Sequence, residues 1–320
     1  MTTTIGTDLQ LAKQLLDQDE LVAIPTETVY GLAGNALRDA AVVKIFEAKN
    51  RPRFNPLIIH VPDVASIHQY AVMDALSEKL ANHFMPGPFT LLLPKKEIVP
   101  DLVTAGSDKV AIRIPNHPLT KALLQSLNFP LAAPSANPFG YVSPTSARHV
   151  YEGLKGRIPY ILDGGDCTVG VESTIAEVKE GAIIMHRHGG VSAEEIEQCT
   201  EIKITSGIKH SKPLTPGQLK SHYATTTPLY RGEVMQLLRQ NPTKKTAIIA
   251  FQKTYPGIDP KDQYILSPSG NLEEAAQHLF AVMRKIDKEQ YDLILTEIFP
   301  NEGLGRAIND RLERAQFVHK

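Results

Sequence analysis

Cysteine is nearly absent from this chain: Cys167 and Cys199 are the two it has in 320 residues. Two lone thiols cannot build a disulfide framework or a CxxC zinc site, and they suit a reducing compartment. No apolar run approaches the length that spans a bilayer, and residues 1–10 hold no basic stretch leading into an apolar one. A soluble, cytoplasmic protein is the expectation. Excess positive charge is lacking too: 34 Lys and Arg stand against 35 Asp and Glu, for a net charge of −1. This removes a global field for holding nucleic acid but leaves room for a local basic cleft. The pattern GxxxxGK[ST] occurs nowhere, which excludes a Walker A phosphate loop.

What is present reads as a folded α/β chain. Its 42% hydrophobic and 22% charged residues are ordinary for a globular protein, and the length admits two domains. Thr7-Asp8-Leu9-Gln10 reads as a capping box opening a helix. Strands are expected at residues 21–24, 57–61, 89–93, 110–114, 130–133, 160–162, 174–178 and 182–186. Helices are expected at 39–48, 74–84, 118–127 and 144–154, with a further one capped by Ser192-Ala193-Glu194-Glu195. From about residue 200 to 228 the chain turns to Ser, Thr, Lys, Pro and Gly with no sustained period, a linker signature. Beyond it, strands at 246–251, 263–266 and 292–296 alternate with helices near 233–239, 272–288 and 306–315. The expected division is residues 1–200, a linker or lid at 201–228, and a second α/β domain at 229–320.

Five clusters carry chemistry. Pro25-Thr26-Glu27-Thr28-Val29-Tyr30-Gly31 follows a buried strand, where open α/β sheets meet their ligands, although a plain capped turn would read the same. Lys49-Asn50-Arg51-Pro52-Arg53-Phe54-Asn55-Pro56 sets cations and an amide on a turn stiffened by two prolines, suited to phosphate or to a solvated rim. His60 ends the next strand. Arg113 sits within the apolar strand Val110-Ala111-Ile112-Arg113-Ile114 and must find an anion, from the protein or from a substrate. Ala133-Pro134-Ser135-Ala136-Asn137 and Ser143-Pro144-Thr145 offer small residues and hydroxyls before a new helix, a place for backbone N–H groups to approach phosphate. Asp163-Gly164-Gly165 and Glu172-Ser173-Thr174 precede Arg187, which ends another strand.

The set PTETVYGL, KNRP, NPL, PGP, VAIRIP, AAPSAN, SPT, ILDGG and EST, in this order, resembles the YrdC-like threonylcarbamoyl-AMP synthase family in its long, two-domain form. TPGQLKSHYA is similar to that form's PGMKYxHYAP segment, and EGLGRAINDRLERA to its terminal GxGxAxxNR motif. The resemblance implies a twisted mixed sheet with flanking helices and a central cleft, followed by a small Rossmann-like three-layer domain. It implies that L-threonine, bicarbonate and ATP become threonylcarbamoyl-adenylate and pyrophosphate, with magnesium on the phosphates. Downstream tRNA-modifying proteins would take the adenylate to the adenosine beside the anticodon. Direct tRNA binding stays open.

Carried onto matching positions, the resemblance places threonine against Thr28, His60, Arg113, the backbone around Ala133, and Ser173. The nucleotide would meet Lys49, Arg51 and Asn55 on one side and Ser135, Asn137 and Ser143 on the other. Lys109 would pass it through backbone, Arg187 would lie against it, and His222 and Tyr223 would reach in from the linker. No protein nucleophile is implied. A competing reading, an RNA-binding module without catalysis, is disfavoured by the near-neutral charge. A carbamoyl-transfer module of hydrogenase maturation enzymes is disfavoured by the missing CxxC motifs.

Overall fold

Val22, Ala23 and Ile24 have no exposed surface, and a run apolar on both faces belongs in the middle of a sheet. The computed structural model describes residues 1–206, 215 and 222–316, so the linker motif at 216–221 lies outside the described residues. The first sheet comprises β1 (Thr4–Gly6), β2 (Val22–Ile24), β3 (Gly31–Asn35), β4 (Ile58–His60), β5 (Phe89–Pro94), β6 (Lys109–Arg113), β7 (Leu131–Ala132), β8 (Tyr160–Leu162), β9 (Thr174–Lys179), β10 (Ala182–Arg187) and β11 (Ile204–Ser206). Their spatial order is β1-β8-β2-β3-β7-β4-β6-β5-β9-β10-β11. Parallel pairs such as β4 with β6 alternate with antiparallel ones such as β5 with β6, giving the mixed sheet that was expected. The second sheet, β12 (Leu229–Arg231), β13 (Thr246–Ala250), β14 (Gln263–Ile265) and β15 (Leu293–Thr296), is parallel throughout in the order β12-β15-β13-β14.

Several elements depart from the expectation for physical reasons. Asp8, not Thr7, caps the first helix, its carboxylate accepting from the Gln10 and Leu11 amides. The helix expected from residue 144 begins at Ala147 behind the Ser146 cap. Before it, the Pro144 carbonyl is committed to the Tyr30 amide and the Thr145 carbonyl to that of Cys167, so residues 143–146 stay extended across the site. β3, with its glycines, has weak strand propensity. It exists because helix Asp39–Lys49 packs close above: a Cβ on Gly34 would come within 3.2 Å of Ile45. β11 pairs with β10 and carries the first sheet past residue 200.

The two units share an apolar seam. Helix Leu272–Ile286 buries Ala275, Leu279, Phe280 and Met283 with no exposed surface. The same cluster takes in Val29, Val142, Val171 and Tyr223 from around the first sheet. Each large apolar side chain so buried contributes roughly 1.5–3 kcal/mol.

Candidate active site

The loop after β2 is shaped by Thr26, whose hydroxyl accepts from the Thr28 and Val29 amides at 3.1 and 3.2 Å and donates to the Val29 carbonyl. This turn presents Thr28 and Glu27 to Arg113. One terminal nitrogen of Arg113 donates to Thr28 Oγ1 at 2.8 Å, and the other lies 2.7 Å from Glu27 Oε2. Arg113 Nε donates to the Gly87 carbonyl. Glu27 is thus the protein carboxylate that a guanidinium inside an apolar strand required. Parallel register sets His60 beside Arg113. Burial, then the Arg113 charge, pushes the His60 pKa down to about 3, so the imidazole is neutral, and its Nδ1 has no hydrogen-bond partner among the described residues.

Ser173 closes this end. Its hydroxyl shares a 2.8 Å hydrogen bond with Thr90 and accepts from Arg187 at 3.1 Å, while Arg187 Nε donates to the Ser173 carbonyl at 3.0 Å. The approach depends on Gly189, where a Cβ would sit 2.3 Å from the Glu172 oxygen and the Thr174 nitrogen.

Opposite stand the other cations. Lys49 Nζ donates to the carbonyls of Ser135 and Asn137, which ties the helix ending at Lys49 to the Ser135 loop. Arg51 folds over its own turn, donating to the Asn55 and Pro56 carbonyls at 3.3 and 2.8 Å. Burial, and then neighbouring Arg187, lowers the Arg51 pKa to about 9; burial, then Arg51 and Arg284, lowers Lys49 well below its usual range. Desolvated, clustered cations of this kind are a binding site for anionic charge.

His222 and Tyr223 enter from the linker and are buried. Tyr223 adopts the left-handed conformation (φ 65°), and its ring stacks on Phe280 and meets His222 edge-on. His222 in turn meets Phe139, which lies under the Arg51 guanidinium. Burial, followed by the Arg51 and Lys49 charges, holds His222 neutral.

One cavity unites these parts. Arg51, Ser135, Arg187, His222 and Tyr223 line it together with His60, Arg113, Ala133 and Ser173. Thr28, Lys49, Asn55, Asn137 and Ser143 stand behind the lining. Asn55 is fully buried, and its amide nitrogen and oxygen, like Asn137 Oδ1, have no hydrogen-bond partner among the described residues. Unsatisfied buried polar atoms around a cavity leave places for a water, an ion or a polar ligand. Lys109 is the expected residue that the structure does not bring to the cavity. It shares a strand face with Arg113 but lies about 13 Å further along β6, where Glu177 Oε1 accepts its ammonium at 2.5 Å. Glu172 and Thr26 line the cavity without having been singled out as ligands, although both stand inside the EST and PTET motifs.

Fold and site together define an α/β binding cleft in which an array of buried cations faces an Arg–His–Ser pocket. Residues 14–189 match the Sua5_yciO_yrdC family, described as telomere recombination, and residues 191–316 match Sua5_C, the threonylcarbamoyl-AMP synthase C-terminal domain. The chain belongs to this family, in its two-domain form. It is 39% identical over 318 residues to the threonylcarbamoyl-AMP synthase of Bacillus subtilis, covering 95% of this chain and 91% of that protein. To the Pyrococcus abyssi threonylcarbamoyl-AMP synthase it is 39% identical over 326 residues, covering 96% and 93%. The crystal structure of P. abyssi Sua5 complexed with L-threonine superposes with a TM-score of 0.90 at 37% identity, covering 99% of this chain and 97% of that one.

Proposed function

We propose that the chain condenses L-threonine, bicarbonate and ATP into L-threonylcarbamoyl-adenylate, releasing pyrophosphate, for threonylcarbamoyl modification of the adenosine next to the tRNA anticodon. The observation that carries this reading is the convergence of Arg51 and Arg187 with His60, Arg113 and Ser173 on one cavity. The threonine amine loses a proton and bonds to the carbon of CO2 derived from bicarbonate, giving a carbamate. A carbamate oxygen then bonds to the α-phosphorus as the bond to the pyrophosphate oxygen breaks. Neither step needs a protein nucleophile.

In this reading Thr28, Arg113, Ser173 and the Ala133 backbone hold threonine, with Arg113 on its carboxylate. Neutral His60 offers a hydrogen bond without placing another charge beside the amine. Lys49, Arg51 and Arg187 offset the triphosphate charge, a stabilisation that grows as water is excluded. Asn55, Ser135, Asn137 and Ser143 complete the nucleotide's surroundings. His222 and Tyr223 cover the site and keep water from an adenylate that hydrolyses. Magnesium would arrive on the triphosphate as part of the substrate, bridging phosphate oxygens with few protein ligands.

Among the described residues no helix is long and apolar enough to cross a membrane. We place the reaction in the cytoplasm, where downstream tRNA-modifying proteins take the product. Incubation with ATP, bicarbonate and L-threonine, read by mass spectrometry, should yield the adenylate. Pyrophosphate release that is unchanged when threonine is omitted would refute the assignment.

A further inference from the structure

Helix Gly305–Gln316 of the second unit drives Arg311 into the cavity wall, where it has no exposed surface. Its Nε donates to Glu172 Oε2 at 2.9 Å. One terminal nitrogen donates to the His188 carbonyl and to Asp310, at 2.9 and 2.8 Å. The other terminal nitrogen has no hydrogen-bond partner among the described residues, and the Tyr223 ring, 5.2 Å from the guanidinium carbon, is the electron-rich surface beside it. Glu172 is the one carboxylate among the described residues lining the cavity. Its second oxygen accepts from Ser143 Oγ at 2.5 Å.

Glu172 makes its ion pair with Arg311. It also lines the cavity with Arg187, whose guanidinium is hydrogen-bonded to the next residue in the chain, Ser173. A buried carboxylate stripped of one cation turns to the next, because leaving it unpaired is costly. Were Arg311 removed, Glu172 would swing towards Arg187 and let go of Ser143.

We propose that Arg311 is a positioning residue for adenylate synthesis: it holds Glu172 on the C-terminal helix, which keeps that carboxylate from neutralising Arg187 and keeps Ser143 in place. This assigns the second unit a part in nucleotide binding, and it rests on the reading that Arg187 and Ser143 meet ATP.

The test is a cycle of full-length chains assayed for adenylate synthesis, with threonine binding measured separately by calorimetry. Arg311→Met should raise the KM for ATP about tenfold or more while threonine affinity stays within about twofold. Adding Glu172→Gln should bring the ATP KM back towards that of Glu172→Gln alone, since no carboxylate remains to compete for Arg187. A merely structural role predicts the opposite, a double variant worse than either single one, and that result would overturn the proposal. So would equal losses of ATP and threonine binding. Should Arg311→Met not fold, Arg311→Lys replaces it: the ammonium keeps the charge, so a small ATP effect relieved by Glu172→Gln supports the proposal, and one deepened by it refutes it. Arg187→Gln separates the underlying reading, because an unchanged ATP KM in that variant removes Arg187 from the nucleotide whatever Arg311 does.

Discussion

The Tyr223 ring stacks on Phe280 with centroids 5.6 Å apart and planes 26° from parallel. Through this pair the linker, which carries Tyr223, is fastened to the second unit over the cavity. Loops that cover a site exclude water and can limit product release. Tyr223→Ala should therefore lower steady-state adenylate synthesis, and a chain truncated near Thr205 should lose most of it while keeping some nucleotide binding. Core residues such as Ile45, Leu91 and Ile112 are buried without help from the second unit, so the truncated chain should fold. Equal pyrophosphate release by truncated and full-length chains would reduce the linker to a tether.

In the proposed reading Arg51 and Arg113, which line one cavity, divide it between two substrates. Arg51→Ala should raise the KM for ATP and lower turnover, since a charge-assisted contact is worth roughly 1.5–3 kcal/mol, or about ten- to a hundredfold. Arg113→Ala should weaken threonine more than ATP and leave Glu27 buried without its cation. Titrating each substrate against both variants checks the division; an ATP-only effect of Arg113→Ala would reverse it.

Serine should be a poor replacement for threonine. The missing methyl costs on the order of 1 kcal/mol in a fitted pocket, a several-fold loss in kcat/KM. Competition between the two amino acids in one reaction, read as the ratio of adenylates, measures this directly.

Acid should destabilise the fold through His60. Its pKa is about 3 in the folded chain against an ordinary 6.5, so the unfolded chain binds the extra proton between these values. The contribution is complete well above pH 6.5 and is lost as pH falls, with about 2 kcal/mol from this residue gone by pH 5. Urea unfolding of wild type and His60→Gln at both pH values should show a shallower pH dependence in the variant; parallel slopes would contradict it.

Patterns that are local in the chain were legible in it. β8 falls at the expected residues, and Ser192 and Glu195 form the reciprocal cap that their spacing announced. β3 was not legible, because Gly31, Ala33 and Gly34 look like a turn and become a strand only under the packing of Ile45. The same limit applies to the site. Arg113 announced that it needed an anion, and the PTET motif held it, but nothing in spacing joins Glu27 to a guanidinium 86 positions later. Glu172 and Arg311, 139 positions apart, were each visible within a motif, while the ion pair between them exists only in three dimensions.

The pairing of β1 with β8 has a consequence for the chain as it is made. Thr4 adds beside Tyr160 in parallel, so β1 lacks this partner until more than 150 further residues have left the ribosome. At about 5–20 residues per second this is a wait of roughly ten to thirty seconds. During it, the exposed edge of β2, which also pairs with β8, is open to association with other nascent chains. The cavity waits longer still, for the lining residues His222 and Tyr223. A growing polypeptide therefore passes through much of its synthesis with the pieces of this cavity and no cavity, until the segment that carries Tyr223 emerges.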